Sequence, residues 1–311
     1  MRRRIDISKI KTIPLDKRKC KVTTADFARP AKKGESFVKF YDSLPNVLAA
    51  SSLKSLVDAV IKSYRSKKMV IVMMGAHVIK CGLSGLIIDL MKKGVVRALA
   101  LNGACIIHDT ETAMIGRTSE DVGEGVVDGS FGMAKETAAF INEAINAGFQ
   151  KGKGIGESVG EKISMARLKC RGLSILAAGY ELGIPVTVHV AIGTDIIHQH
   201  PSCNGEAVGE GSLLDFRNFI YSVSCLEGGV AINFGSAVIL PEVFLKAVTV
   251  ARNLGYTLDH FTTANFDMIA HYRPHQNILT RPTSKGGKGY NIIGHHEIMI
   301  PLLYRAIVEK I

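Results

Sequence analysis

The chain has 311 residues, 47% hydrophobic and 6% aromatic with no Trp, enough for one large α/β domain or two smaller ones with a core of Ile, Leu, Val and Ala. Its cysteines, at 20, 81, 105, 170, 203 and 225, form no Cys-x-x-Cys pair, which excludes a disulfide framework and a zinc ribbon and predicts reduced thiols. The net charge of +11 is concentrated in residues 1–39, which hold 13 Lys/Arg against 4 Asp/Glu.

That basic arm contains one aromatic residue, Phe27, and no recognition motif, so nucleic acid is not the expected partner. It reads as a solvated extension that packs on a neighbouring subunit or meets an acidic partner. Residues 40–311 read as a single domain. The opening Met1-Arg-Arg-Arg-Ile-Asp lacks an apolar leader core, and no run of 18 apolar residues occurs. A cytoplasmic protein, neither exported nor membrane-spanning, is expected.

After the arm, Ser52 reads as an N-cap, and Leu53, Leu56, Val57, Val60 and Ile61 follow helical spacing toward Arg65, Lys67 and Lys68. Met69–Met74 is the first strand, leading into Gly75-Ala-His77. A helix over Ser84–Lys93 closes at Gly94, and the second strand, Val95–Leu101, stops at Asn102-Gly103-Ala104. Helices follow over Ala134–Ala147 and Glu161–Leu182, the latter interrupted around Arg171-Gly172. The third strand, Ile184–Ile192, ends at Gly193-Thr194-Asp195, and Leu213–Ser224 is helical. Val230–Ile232 is the fourth strand, ending at Asn233-Phe234-Gly235-Ser236, before the helix Pro241–Leu254 with proline in its first turn. Thr257–Phe261 and Asn291–Ile293 are the fifth and sixth strands, and His296–Lys310 is a closing helix. This alternation predicts a mostly parallel sheet with helices on both faces.

Gly154-Ile-Gly156-Glu-Ser-Val-Gly160 imitates a dinucleotide fingerprint. A true fingerprint follows a strand, because the pyrophosphate sits on the next helix's N-terminus. Here Phe140–Phe149 before it is helical, so the motif reads as a helix–helix connection.

In a parallel sheet the strand ends share one edge, where ligands bind. Polar residues gather there: Asn102, His108, Asp109 and Glu111 after the second strand; Asp195, His198 and His200 after the third; Thr262, Thr263 and Asp267 after the fifth; His295, His296 and Glu297 after the sixth. Two chemistries compete. His108, His198, His200 and His295 or His296 are candidate metal ligands for a hydrolase or lyase. Alternatively, neutral imidazoles and carboxylates bind and deprotonate a cationic amine.

At these residues the chain resembles the deoxyhypusine synthase family, over roughly residues 35–311. The segments that carry the resemblance are Gly82-Leu-Ser-Gly-Leu-Ile-Ile-Asp-Leu-Met-Lys-Lys-Gly94, Leu99-Ala-Leu-Asn-Gly-Ala104 with Ile107-His-Asp109, Ile184-Pro-Val with Ile192-Gly-Thr-Asp195, Phe261-Thr-Thr-Ala264 with Asp267, and Ile300-Pro-Leu-Leu303. The resemblance implies a Rossmann-like fold and NAD bound at the subunit interfaces of a homotetramer, a dimer of dimers. It implies oxidation of spermidine by hydride transfer, an imine on an active-site lysine, and passage of the aminobutyl group to a protein lysine or to putrescine. The NAD positions it implies are Asn102, Gly103, Ala104, Asp195, Gly235, Ser236, Thr263 and Ala264.

The departures lie on the polyamine side. The family lysine stands in a Trp-Gly-Lys box, and this chain reads Arg281-Pro-Thr-Ser-Lys285-Gly-Gly-Lys288-Gly289 there. An acidic pair after the second strand becomes Ile107-His108, and an aspartate after the sixth becomes His295. The resulting expectation is an NAD-dependent aminoalkyl transferase acting on a polyamine or another amine, with Lys285 as imine-forming lysine (Lys288 the alternative) and His108 and His296 as acid/base or orienting groups. A non-catalytic NAD-binding relative is a further alternative.

Overall fold

Six short runs built on Val, Ile, Ala, Met and Thr lie side by side as strands: β1 Val70–Met74, β2 Ala98–Asn102, β3 Val186–His189, β4 Val230–Phe234, β5 Thr262–Asp267 and β6 Lys288–Ile293, in a computed structural model that describes residues 4–311. Every pairing is parallel, and the spatial order is β3-β2-β1-β4-β5-β6. The order in which successive strands are added reverses between β1 and β4, the topological switch point of a doubly wound fold.

The chain divides into two compact units, Met1–Ser51 and Ser52–Ile311. Within the first, the helix α1 (Phe37–Ser43) starts at Ser36, whose hydroxyl accepts from the Lys39 N–H. Asp26 and Arg29 are tied to Asn46 and Ser43 by backbone hydrogen bonds of 2.9 and 3.0 Å. The helix α2 (Leu48–Arg65) leads into the sheet.

In the second unit the helices follow in order: α3 His77–Lys80, α4 Ser84–Lys92, α5 Gly103–Ile115, α6 Val122–Asp128, α7 Lys135–Phe149, α8 Ile155–Met165, α9 Ile175–Leu182, α10 Gly205–Ser224, α11 Ile239–Asn253, the short turn α12 Tyr272–Pro274 and α13 His296–Val308. A six-residue π-helix, His275–Thr280, extends α12. Successive strand residues face opposite layers. Ile71, Met73, Ala98, Ala100 and Ala231 pack with Phe219 and Val223 of α10 and Phe244, Ala247 and Val248 of α11. Val70, Val72, Ile232 and Phe234 face Val60 of α2, Ile87 and Leu90 of α4, and Ile300, Leu303 and Ile307 of α13. Both faces of the sheet are covered over its central strands, which are mainly apolar.

Two boundaries differ from the sequence expectation in ways that move candidate residues. The fifth strand is not 257–261 but Thr262–Asp267, because Thr262 and Thr263, β-branched, and Asn265 pair in the ladder despite their polarity. The segment after β2, expected only as a polar strand end, is the helix α5, which Asn102 caps by accepting from the Cys105 N–H at 3.2 Å.

One row of the sheet is polar. Asn233, Asn265 and Asn291 are register partners on β4, β5 and β6. The Asn233 amide donates to Asn265 Oδ1 at 2.7 Å, and Asn265 donates to Asn291 Oδ1 at 3.2 Å. Asn233 Nδ2 also donates to the Ser236 carbonyl at 3.0 Å, tying the strand to its own exit turn.

Candidate active site at the carboxyl edge of the sheet

At the tips of β2 and β3, Gly103 opens α5 and Asp195 leans over it. A Cβ added at Gly103 would stand 1.8 Å from Asp195 Oδ2, so only glycine leaves room for the carboxylate. Asp195 is buried, its Oδ2 has no hydrogen-bond partner, and burial pushes its carboxyl up to about 6. The N–H groups of Gly193 and Asp195 donate to His198 Nδ1 at 3.2 and 3.4 Å. His198 therefore carries its proton on Nε2, a buried donor that also has no partner. An unsatisfied acceptor and an unsatisfied donor thus stand in the same loop. Cys105, buried in the first turn of α5, donates to Asn102 Oδ1 at 3.0 Å and lies 3.4 Å from the Met74 carbonyl, joining the β1 and β2 tips. Burial pushes its thiol well above the ordinary range.

At the switch point, Gly75 donates to the Phe234 carbonyl and Gly235 to the Phe266 carbonyl, each at 2.9 Å. Gly235 has φ +66°, and a Cβ there would meet the His296 ring at 2.4 Å. His296 is buried at the start of α13. Its Nε2 bonds the Phe266 carbonyl at 3.2 Å, which leaves Nδ1 as an unpartnered acceptor, and its ring lies 5.6 Å from that of His77. Ser236 is buried and accepts from the Leu240 N–H at 3.2 Å, capping α11. Asp267 Oδ1 accepts from the Met268 N–H at 2.8 Å, and its Oδ2 lies 3.8 Å from His271.

Other candidates are placed elsewhere. Thr263 and Ala264 are fully buried inside β5, in register with Ala231 and Ile232, and do not reach the edge at Asp267. Their placement follows from the shifted strand. Lys285 precedes β6, is mostly exposed and lies 3.8 Å from Asp259, which precedes β5. In an all-parallel sheet that is the amino edge, so within one chain Lys285 and Lys288 are separated from His296 by the length of a strand. A cleft of about 660 Å³ opens on that amino edge, lined in part by Lys62, Lys68, His260 and Lys288.

His108 sits on α5, where its Nδ1 is 2.7 Å from the Thr118 hydroxyl, which in turn bonds Glu111; burial lowers its pKa. Asp109 is structural: it accepts from the Ser174 hydroxyl at 2.5 Å and from the N–H groups of Ile175 and Leu176, capping α9, and burial raises its pKa to about 6. His200 bonds the Gly132 carbonyl at 2.8 Å. Histidines 108, 198, 200 and 296 thus stand in separate hydrogen-bonding environments, and the alternative of a metal centre built from them is not assembled. Among the described residues, the His/Cys/carboxylate group compact enough to hold an ion is His77, Cys81 and Glu297.

The glycine-rich motif is part of α8. Asp215 of α10 accepts from the Gly156 and Val188 N–H groups at 2.9 Å, filling the helix's positive end with an internal carboxylate. A Cβ at Gly156 would stand 1.8 Å from the Val186 carbonyl. Burial pushes Asp215 up to about 7. Sequence reasoning passed over Asp215 and also over Lys80 and Cys81, which follow His77; the His77-x-x-x-Cys81 spacing, four residues on one helix face, was the available signal for that pair.

No family model matches the chain, and no curated protein matches its sequence. Among solved structures, it is similar over 91% of its length to "a putative deoxyhypusine synthase from Entamoeba histolytica", at TM-score 0.52 and 10% identity over 96% of that chain. It is similar over 91% to a "conserved putative LOR/SDH protein from Methanococcus maripaludis S2", at TM-score 0.52 and 16% identity over 74% of that chain. It is also similar over 83% to AgrE, solved with ornithine and NAD+, at TM-score 0.55 and 15% identity, where it spans 32% of the larger protein. These identities make the likeness one of fold. The protein has a Rossmann-like α/β fold, distantly related to that of the Entamoeba protein. No helix among the described residues is long and apolar enough to cross a membrane.

Proposed function

We propose that the protein is a cytoplasmic NAD-dependent enzyme that oxidises an amine at the carboxyl edge of its sheet and transfers an aminoalkyl group through an imine, as deoxyhypusine and homospermidine synthases do. The observation that carries this reading is the Asp195 carboxylate, buried against Gly103 with one oxygen unsatisfied at the tips of β2 and β3. A ribose hydroxyl is the donor such an oxygen fits. Gly75 and Gly235 let the exits of β1 and β4 pack against each other and against the His296 ring at the switch point. NAD bound there would supply the hydride acceptor.

The chain's own groups divide the remaining work. His296, with Nδ1 free to accept, is placed to take a proton from the substrate ammonium. Loss of hydride from the carbon next to nitrogen gives an imine; a lysine amine then displaces the leaving amine, and an acceptor amine displaces the lysine before hydride returns. The lysine proposed for this step is Lys80, exposed after the β1 tip and near enough to His108 to disfavour its charge. Lys285 is on the other edge and can serve only the pocket of a neighbouring copy, within a homotetramer. A polyamine such as spermidine is the proposed donor, with a protein lysine or a second amine as acceptor.

Incubation with NAD and a panel of di- and polyamines, followed by borohydride and peptide mapping, tests this. NADH formation with a trapped aminoalkyl adduct on Lys80 is the expected result. An adduct on Lys285 would move the site to a subunit interface, and neither NADH nor adduct with any amine would overturn the reading.

A further inference from the structure

We infer that His77, Cys81 and Glu297 form a binding site for one zinc-class divalent cation at the β1 tip. One ligand atom from each residue lies within 4.8 Å of the others, and the Cys81 sulfur is 3.9 Å from Glu297 Oε2. The ligands of a tetrahedral zinc centre stand roughly 3.3–3.8 Å apart, so small side-chain rotations close the set. The backbone already fixes two of the three. His77 and Cys81 are four apart, joined by a 2.9 Å hydrogen bond from the Cys81 N–H to the His77 carbonyl, which puts their side chains on one face. Glu297 comes from the first turn of α13, brought alongside by the β6 exit.

The donor set selects the ion. Thiolate, imidazole and carboxylate together suit zinc or cobalt, whereas magnesium and calcium prefer oxygen alone. Two anionic ligands neutralise a divalent charge. Among the described residues the carboxylate makes only long contacts, its Oε1 3.9 Å from His295 Nδ1 and its Oε2 3.9 Å from Cys81 Sγ, so a small rotation turns it toward the metal. His296, whose buried ring packs 5.6 Å from that of His77, buttresses the imidazole from behind. Three protein ligands leave a fourth position for water or a substrate atom, the arrangement of catalytic rather than structural zinc. The inference is independent of the redox reading and stands or falls on its own ligands.

Titration of the full-length chain with Co²⁺ after chelator treatment tests it. One equivalent bound with a thiolate-to-cobalt charge-transfer band is expected. Cys81→Ser should remove the band, and His77→Ala and Glu297→Gln should each weaken binding by more than about tenfold, while Cys225→Ser, remote and exposed, changes neither. Zn²⁺ should also slow alkylation of Cys81 in the unaltered chain, a readout that needs no variant. No stoichiometric cobalt, a band that survives Cys81→Ser, or alkylation at an unchanged rate would overturn the site.

Discussion

Asp195 has a carboxylate oxygen that no group among the described residues satisfies, and burial holds its pKa near 6 rather than 3.8. A hydrogen bond from a ligand hydroxyl to a charged acceptor contributes about 1.5–3 kcal/mol. Asp195→Ala should therefore weaken NAD binding by roughly 10- to 100-fold, read by calorimetry. Its pH dependence has a definite sign. The carboxylate form predominates above about 6, so NAD affinity should fall as the pH drops through that value, and Asp195→Ala should lose this trend. Gly103→Ala presses on the same carboxylate and should reproduce the binding loss with the far-ultraviolet spectrum unchanged. At this scale Gly103 and Asp195 were named as NAD positions only through the family resemblance, and their contact is a property of the tertiary fold that no residue type announces. The sequence offered Lys285 as the imine-forming lysine without fixing its edge, because a lysine among glycines reads alike at either edge of a sheet.

At the scale of elements, the α8 glycines and Asp215 form one packing unit. Gly156 lies against a backbone carbonyl of β3 that cannot swing aside, so Gly156→Ala should cost about 1–3 kcal/mol or more in denaturant stability. Asp215→Ala leaves the Gly156 and Val188 N–H groups buried without an acceptor, costing about 2–4 kcal/mol, whereas Asp215→Asn keeps an oxygen in place. Because the folded Asp215 binds its proton more tightly than the unfolded one, its contribution is fully present below about 3.8 and is lost as the pH rises through about 7. The stability of the unaltered chain relative to Asp215→Asn should decline across that window, measured by urea midpoints at fixed ionic strength. Helices α2, α4, α7, α9, α11 and α13 were legible from their caps and apolar spacing, whereas α5, read only as a strand end, and α8, read as a helix–helix connection, were not. β5 was not: polar residues at Thr262, Thr263, Asn265 and Asp267 break the continuous apolar run that marks the other inner strands, and what makes it a buried strand is the pair of neighbours it lies between.

For the whole molecule, the parallel sheet and its layers followed from alternation of strand and helix, but the order of strands is a property of tertiary pairing. That order places the switch point between β1 and β4 and makes the carboxyl edge one continuous surface. A nucleotide that binds only the folded state at 100 times its Kd adds about 2.7 kcal/mol. NAD should accordingly raise the melting temperature by a few degrees, and Gly103→Ala should abolish the rise; an unchanged transition in the unaltered protein would contradict the proposed pocket. The asparagine row that crosses half the sheet is directional. Each side-chain amide hands its proton one way, from Asn233 through Asn265 to Asn291, and turning any one over would set like atoms face to face. The head of that relay is Asn233 Oδ1, buried with nothing to accept from. A donor arriving beside it would polarise all three amides in turn, stiffening the β4, β5 and β6 tips together.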